Sequence, residues 1–273
     1  MKVVLIILGI LAGLYALLCV VLYFNQERLL FFPTKLPANY RFSFPSTFEE
    51  HWTTAADGTR LHGLLFHAPN AKGLVFYLHG NGGALDSWGQ AADLYTRLGY
   101  DVFMLNYRGY GKSGGHISSQ PQLLADVQAA YQQLLPQYAE SRTLIRGYSL
   151  GTGLATWLAA QQHPKLLILQ APYFSMRDMA ARNYPIVPGF LLRYPLPTNE
   201  LIGHVTAPVV VFHGDRDAVI DHRSSLRLKS LLKPSDQVIV LAGAGHNGMT
   251  DNVEYQRGWR GCFASAMVIR PPT

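Results

Sequence analysis

Charge is what this sequence has least of. Only 15% of its 273 residues are Asp, Glu, Lys or Arg, against 49% hydrophobic. That balance excludes a disordered chain, and the length suffices for one sizeable α/β domain with a full core. The net charge is +6, yet no run of Lys and Arg and no nucleic-acid motif accompanies it, so no nucleic-acid partner is expected. A mildly basic surface fits weak attraction to anionic lipid instead. Cysteine is scarce too: Cys19 lies in an apolar stretch and Cys262 near the C-terminus, which excludes a disulfide framework and a zinc site. Gly111-Lys112-Ser113 could close a phosphate-binding loop, but the residue five before Gly111 is Asn106 rather than glycine. No metal and no cofactor are expected. Repeats, low-complexity segments and a second domain boundary are absent.

Charge is missing altogether from Val3 to Phe24. As a helix this run would extend about 33 Å, enough to cross a bilayer core. No small-x-small cleavage site ends it, so residues 3–24 read as an uncleaved single-pass anchor rather than a signal peptide. The orientation signals oppose each other. Lys2 stands alone before the run while Arg28, Lys35 and Arg41 follow it, yet a lysine directly before an apolar run is a signal-like layout. The side of the membrane on which the catalytic domain lies is therefore left open. The expected organisation is an anchor over 1–27, a Pro- and aromatic-rich linker over 28–47 lying over the domain near the membrane surface, and an α/β domain over 48–273.

Within that domain, strand and helix patterns alternate. Phe48 to Thr54 and Thr59 to His67 read as antiparallel strands around Asp57-Gly58. Apolar runs at Leu74–Leu78, Val102–Leu105, Leu144–Ile145, Leu166–Leu169, Pro208–Phe212 and Val238–Leu241 alternate with helical patterns over Ala84–Leu98, Gln122–Leu135, Leu150–Ala160, Arg223–Leu232 and Asn252–Phe263. This rhythm predicts a mainly parallel sheet covered on both faces. The interval from about 171 to 207 breaks it, being rich in Tyr, Pro and Met, and reads as a small cap of short helices.

Gly147-Tyr148-Ser149-Leu150-Gly151 sits between a strand pattern and a helix pattern. That is the setting of a nucleophile elbow, in which a tight turn lifts a serine hydroxyl above the sheet. A serine there needs a base, a group to orient the base, and an oxyanion hole. His246 is the candidate base: it lies in the small-residue loop Ala242-Gly243-Ala244-Gly245-His246-Asn247 after the last strand pattern, where catalytic groups of open α/β sheets gather. The acid should come from His213-Gly214-Asp215-Arg216-Asp217-Ala218-Val219-Ile220. Asp217 is preferred because the apolar residues after it would bury its carboxylate, and Asp215 reads as a turn residue. The oxyanion hole needs two backbone N–H groups: that of Leu150, and that of Asn81, with Gly82 as second choice, in the glycine-rich loop Leu78-His79-Gly80-Asn81-Gly82-Gly83. His79 reads as a buttress of this loop. Arg108 reads as an internal brace between loops. Tyr148, Tyr173 and Phe174 are expected to bind substrate.

Taken together, His79-Gly80-Asn81-Gly82-Gly83, Asn106-Tyr107-Arg108-Gly109-Tyr110-Gly111-Lys112-Ser113-Gly114, Gly147-Tyr148-Ser149-Leu150-Gly151, the stretch His213 to Ile220, and Gly245-His246-Asn247 resemble the α/β-hydrolases. More narrowly they resemble N-terminally anchored serine hydrolases of the α/β-hydrolase-domain families, which include depalmitoylating thioesterases and lysophospholipid or acylglycerol lipases. The resemblance spans Arg28 to Phe263 and implies an α/β-hydrolase fold with a helical cap. Its His-Gly-x-x-Asp pattern falls on Asp217 rather than Asp215. Pro172 to Met179 resembles the start of the family's cap. Those families often carry a Glu after the acid, where this chain has Ala218, a change of local charge that leaves the triad in place. Substrate does not transfer within these families. The implied activity is cleavage of a small-molecule acyl ester or thioester by Ser149, His246 and Asp217. A peptidase resembling the prolyl-oligopeptidase clan ranks lower because no propeller or other gating domain precedes the hydrolase domain. A non-catalytic binding protein ranks lower still because every catalytic part is present.

Overall fold

The structure is a computed structural model that describes residues 1–266, with side chains up to residue 259 of the last helix, so Cys262 lies outside the described side chains. Helix α1 (Lys2–Phe24) runs directly into a short α2 (Gln26–Leu30). The hairpin β1 (Phe48–Thr54) and β2 (Arg60–Phe66) comes next, then β3 (Leu74–Leu78), α3 (Leu85–Trp88), α4 (Ala92–Thr96), β4 (Asp101–Leu105) and α5 (Gln120–Leu134). The second half carries β5 (Thr143–Tyr148), α6 (Leu150–Gln161), β6 (Leu166–Gln170), α7 (Met176–Asn183), α8 (Thr198–Leu201), β7 (Val209–Gly214), α9 (Arg223–Lys229), β8 (Gln237–Leu241) and α10 (Val253–Ala266). The eight strands form one sheet in the order β1-β2-β4-β3-β5-β6-β7-β8. From β4 to β8 every pairing is parallel, and the hairpin joins one edge antiparallel. The expected mainly parallel sheet is thus borne out.

The central strands are apolar throughout because both sheet faces are covered. In β3, Leu74, Phe76 and Leu78 join a core that includes Leu123, Val127 and Leu154 of α5 and α6, whereas Val75 and Tyr77 point the other way, to Tyr95 and Trp259 of α4 and α10. This period of two places one residue in each layer. Ser119 caps α5, its Oγ accepting the Gln122 N–H at 3.3 Å, and Ser175 caps α7 through Asp178 N–H at 3.0 Å. Each such cap contributes about 1 kcal/mol. The hairpin turn is held to the sheet by Arg108, a buried guanidinium bonded to Asp57 in the turn and Asp126 on α5. That is the internal brace the sequence suggested.

The single helix expected over Ala84–Leu98 is broken. Gly89–Ala91 tightens into a 3-10 turn between α3 and α4. A Cβ at Gly89 would lie 2.4 Å from the Phe44 ring, so this turn accommodates an aromatic side chain arriving from outside the segment. Apolar periodicity cannot register that.

Residues 28–47 lie along the domain. Thr34 donates to Gly83 O at 3.1 Å, Gly111 to Thr34 O at 2.8 Å, and Leu36 to Gly111 O at 3.0 Å. Together they form a strap with bridges at Pro33/Gly83 and Lys35/Gly111. Helix α1 is the one helix among the described residues long and apolar enough to cross a membrane, and none of its length is buried.

Candidate active site

The turn between β5 and α6 holds Ser149 at φ 51°, ψ −116°, backbone space that a non-glycine residue occupies only under strain. The strain is held in place from several sides. Ser149 N–H donates to Gln170 O at 2.9 Å, and its carbonyl accepts Thr152 N–H at 2.9 Å and Thr152 Oγ at 2.6 Å. The flanking glycines are spatial requirements. A Cβ on Gly147 would meet Gly151 O at 2.5 Å, and one on Gly151 would meet Leu78 O at 2.1 Å. Helix α6 therefore seats its first turn directly on the carboxyl ends of β3 and β5, with its N-terminal dipole at the serine.

His246 and Asp217 converge on this turn from the loops after β8 and β7. His246 Nδ1 lies 2.7 Å from Asp217 Oδ2, and His246 Nε2 lies 3.1 Å from Ser149 Oγ. A carboxylate only accepts, so Nδ1 carries the proton and Nε2 is left to accept from the serine hydroxyl. The Asp217 side chain is fully buried. Its Oδ1 accepts the N–H groups of Val219 and Ile220, each at 2.8 Å. Burial by itself would raise its carboxyl pKa, but the bonds from His213, His246 and the backbone outweigh burial and hold it well below the usual carboxylate range. Asp215 takes another task, accepting Gly243 N–H at 2.7 Å and so tying the two loops together.

His213 is a residue whose part the sequence reading missed. Its Nε2 lies 2.8 Å from Ile220 O and 3.2 Å from Asp217 Oδ2, both acceptors, while Nδ1 lies 2.6 Å from Ser225 Oγ. The buried imidazole thus donates toward the carboxylate and accepts from the serine. Its signal was present in His213-Gly214-x-x-Asp217, the histidine standing one residue before the end of the strand and four before the acid.

On the other side of Ser149 lies the loop Gly80–Gly83. Asn81 Nδ2 donates to Leu30 O at 2.6 Å, and its Oδ1 accepts from Phe32 N–H at 3.2 Å and Tyr110 Oη at 3.0 Å. Trp88 Nε1 donates to Gly82 O at 2.7 Å. His79 is completely buried, bonded through Nδ1 to Gly80 O at 2.7 Å, and burial lowers its pKa to about 4. It is a neutral buttress. Leu150 opens α6, so its N–H has no acceptor within the helix.

Tyr148 and Tyr173, both expected to bind substrate, are each held by hydrogen bonds from inside the domain. Tyr148 Oη donates to His246 O at 2.6 Å and lies 3.1 Å from Asn247 Oδ1, so it fixes the histidine loop. Tyr173 is buried and donates to Leu150 O at 3.1 Å. It approaches α6 so closely that a Cβ on Gly153 would stand 2.0 Å from its hydroxyl. Phe174 is half-buried beneath the Arg227 guanidinium, 3.7 Å from its ring centre. A cavity of about 590 Å³ opens between the end of α1 and the Arg108–Ser118 loop; Phe31, Pro33 and Tyr110 are on its wall and Ser149 is not. No cluster of metal-ligating side chains occurs among the described residues.

Residues 69–201 match the family model described as serine aminopeptidase, S33. An uncharacterised protein of Mycobacterium tuberculosis is 33% identical over 228 residues, 82% of this chain and 81% of its own length. Human alpha/beta hydrolase domain-containing protein 17B is 31% identical over 202 residues, 71% of this chain and 68% of its own. Among solved structures, an esterase of Pyrococcus furiosus superposes with a TM-score of 0.67 at 17% identity, covering 87% of this chain and 97% of that one. The α/β hydrolase GrgF of a Penicillium species gives 0.65 at 15%, covering 80% and 97%. Those two likenesses speak for the fold. With the relationship to the human protein extending over two thirds of both chains, the protein belongs to the α/β-hydrolase superfamily and is a hydrolase.

Proposed function

We propose that this hydrolase cleaves acyl esters or thioesters through Ser149, His246 and Asp217. The observation that carries the reading is the unbroken chain of contacts from Asp217 Oδ2 to His246 Nδ1 at 2.7 Å and from His246 Nε2 to Ser149 Oγ at 3.1 Å. In this reading Ser149 Oγ attacks the acyl carbon while its proton passes to His246 Nε2. Asp217 stabilises the imidazolium that forms. The N–H groups of Leu150 and Asn81 face the oxyanion, the helix dipole adding to the first. His246 then returns the proton to the departing alcohol or thiol, leaving an acyl-serine. Water, deprotonated by the same imidazole, hydrolyses it and restores the serine. No step needs a metal or a cofactor.

The acyl preference is supported by the apolar α1 and by an apolar cap, features suited to a substrate that partitions into lipid. In the same reading α1 is a single-pass anchor and residues 48–266 carry the catalytic domain. A peptidase reading has one observation in its favour, the description of the matching family model.

A fluorophosphonate probe tests the mechanism. Folded wild-type protein should label and Ser149→Ala should not; equal labelling of the two would remove Ser149 from the mechanism. Faster turnover of aminoacyl naphthylamides than of acyl esters would shift the substrate class to peptides.

A further inference from the structure

Between α7 and Arg193 the cap carries Tyr184-Pro185-Ile186-Val187-Pro188-Gly189-Phe190-Leu191-Leu192, nine residues without a charge, bracketed by Arg182 and Arg193. Its tip is exposed: Tyr184 is 65%, Ile186 68% and Phe190 82% accessible. Large apolar side chains so close together at one loop tip mark a contact surface rather than a solvated loop.

The position of that tip follows from its bonds to the N-terminal helices. At the base, Gln26 Nε2 donates to Leu191 O at 2.6 Å and Gln26 Oε1 accepts Arg193 N–H at 2.8 Å. Arg193 pairs with Glu27 at 2.7 Å, and its guanidinium lies 5.5 Å from the centre of the Tyr23 ring. At the tip, Tyr15 Oη donates to Ile186 O at 2.6 Å. Tyr15 and Tyr23 are eight residues apart on α1, so the loop follows the helix for about 12 Å beyond its base.

We propose that this loop is a second membrane element, inserted beside α1 so that Ile186 and Phe190 lie among acyl chains while Arg182 and Arg193 stay at the headgroups. The inference rests on reading α1 as the anchor. A bilayer core is about 30 Å thick, so a residue fixed 12 Å along a spanning helix is well inside it. Part of the loop's backbone is prepared for such a medium. Pro185 and Pro188 have no N–H to leave unpaired. The N–H groups of Tyr184, Val187, Leu191 and Leu192 are bonded to Ala180, Tyr184, Pro188 and Gly189 carbonyls, and the Ile186 carbonyl is taken by Tyr15. Each such bond lowers the cost of carrying irregular backbone into lipid.

Full-length protein, with both native cysteines replaced by serine, is labelled with an environment-sensitive fluorophore at one introduced cysteine and reconstituted into phosphatidylcholine vesicles. The sites are Leu8→Cys on α1, Ile186→Cys and Phe190→Cys on the loop, and Ala71→Cys at the opposite end of the sheet. Labels at 8, 186 and 190 should be quenched by doxyl-lipids and protected from iodide, and the label at 71 the reverse. A lipid-buried label at 8 with iodide-exposed labels at 186 and 190 would overturn the inserted loop and leave the anchor standing. A label at 8 that never meets lipid would remove the anchor and the loop proposal with it. As a functional arm, Phe190→Asp should cut hydrolysis of vesicle-borne esters about tenfold or more and leave that of a short soluble ester unchanged. Equal activity on both substrates would count against insertion, and the labelling result still decides if this variant fails to fold.

Discussion

The side-chain amide of Asn81 donates to the main-chain carbonyl of Leu30 at 2.6 Å, so the residue assigned to the oxyanion hole is fastened to the segment that leaves the apolar helix. Asn81→Leu removes that bond and both of those accepted by Oδ1 while keeping the backbone N–H. It should lower kcat on the order of tenfold to a hundredfold, short of what deleting a donor outright costs, with KM nearly unchanged. Steady-state kinetics on a soluble ester reads this directly. A rise in KM at constant kcat would mean that Asn81 binds substrate instead.

Asp217→Asn should be severe and Asp215→Asn mild. The first leaves His246 with the wrong hydrogen-bond partner, and a triad acid is worth about 10⁴ in turnover. The second weakens one bond between loops, about 1 kcal/mol. Ser149→Ala and His246→Ala should each remove most turnover, and their losses should not add. Single-turnover rates of the four variants and of the Ser149→Ala/His246→Ala double variant decide the matter, and a reversal of the two aspartates would move the acid to Asp215.

Stability should fall on mild acidification. Burial is the main cause lowering His79 to about 4, against about 6.5 when unfolded. Between those values the unfolded chain binds the extra proton, so stability decreases as pH drops from 6.5 toward 4, by on the order of 3 kcal/mol for this group. Asp217 acts in a lower window: its depressed carboxyl stabilises the fold above about pH 4 and gives that up as pH falls further. Thermal melts of His79→Asn, whose amide can keep the bond to Gly80 O, should show a shallower slope between pH 6.5 and 5 than wild type. An unchanged slope would place the sensitivity elsewhere.

Two glycines near the site should respond in opposite ways. Gly151→Ala puts a methyl 2.1 Å from Leu78 O and 2.8 Å from His79 O, a clash with backbone that should cost at least about 2 kcal/mol. Gly82 has nothing within 4 Å of the same position, so Gly82→Ala should leave the denaturation midpoint within about 0.5 kcal/mol of wild type. Urea unfolding of the pair tests whether spacing, rather than loop flexibility, fixes the elbow.

Activity on p-nitrophenyl esters should rise from acetate through butyrate to octanoate. Each methylene that reaches apolar surface contributes up to about 0.8 kcal/mol, roughly fourfold in kcat/KM. A steady decline along the series would mean a small closed pocket and would end the assignment to lipid-like substrates, with the Ser149 chemistry unaffected.

The elbow was legible because its demands are local. Ser149 needs small neighbours on both sides, and the strand before it and helix after it announce themselves by pattern within twenty residues. His246 and Asp217 were legible because parallel sheets gather loops at one end, so chain order and small-residue loops narrow the choice. What escaped were relationships decided by distant side chains. Where the expected helix breaks, Gly89 stands against the Phe44 ring, which leaves no room for a Cβ. Tyr148 reads as a substrate-binding neighbour of the serine, and nothing local shows that its hydroxyl reaches the His246 carbonyl ninety-eight positions away. The stretch 28–47 reads from its prolines and aromatics as a linker lying over the domain, but composition says nothing of the bonds to Gly83 and Gly111 that hold it there.

Those bonds have a kinetic consequence. A flexible tether lets a catalytic domain sample a volume whose radius grows with linker length. The strap from Phe31 to Leu36 is pinned to the domain along its course, leaving almost no slack between α1 and the catalytic loops. With α1 in a bilayer, Ser149 would ride at one fixed height and tilt, unable to swing to a facing membrane. Turnover would then follow the density of substrate per unit area of the enzyme's own leaflet, and diluting that substrate with inert lipid would slow the enzyme even at constant bulk concentration.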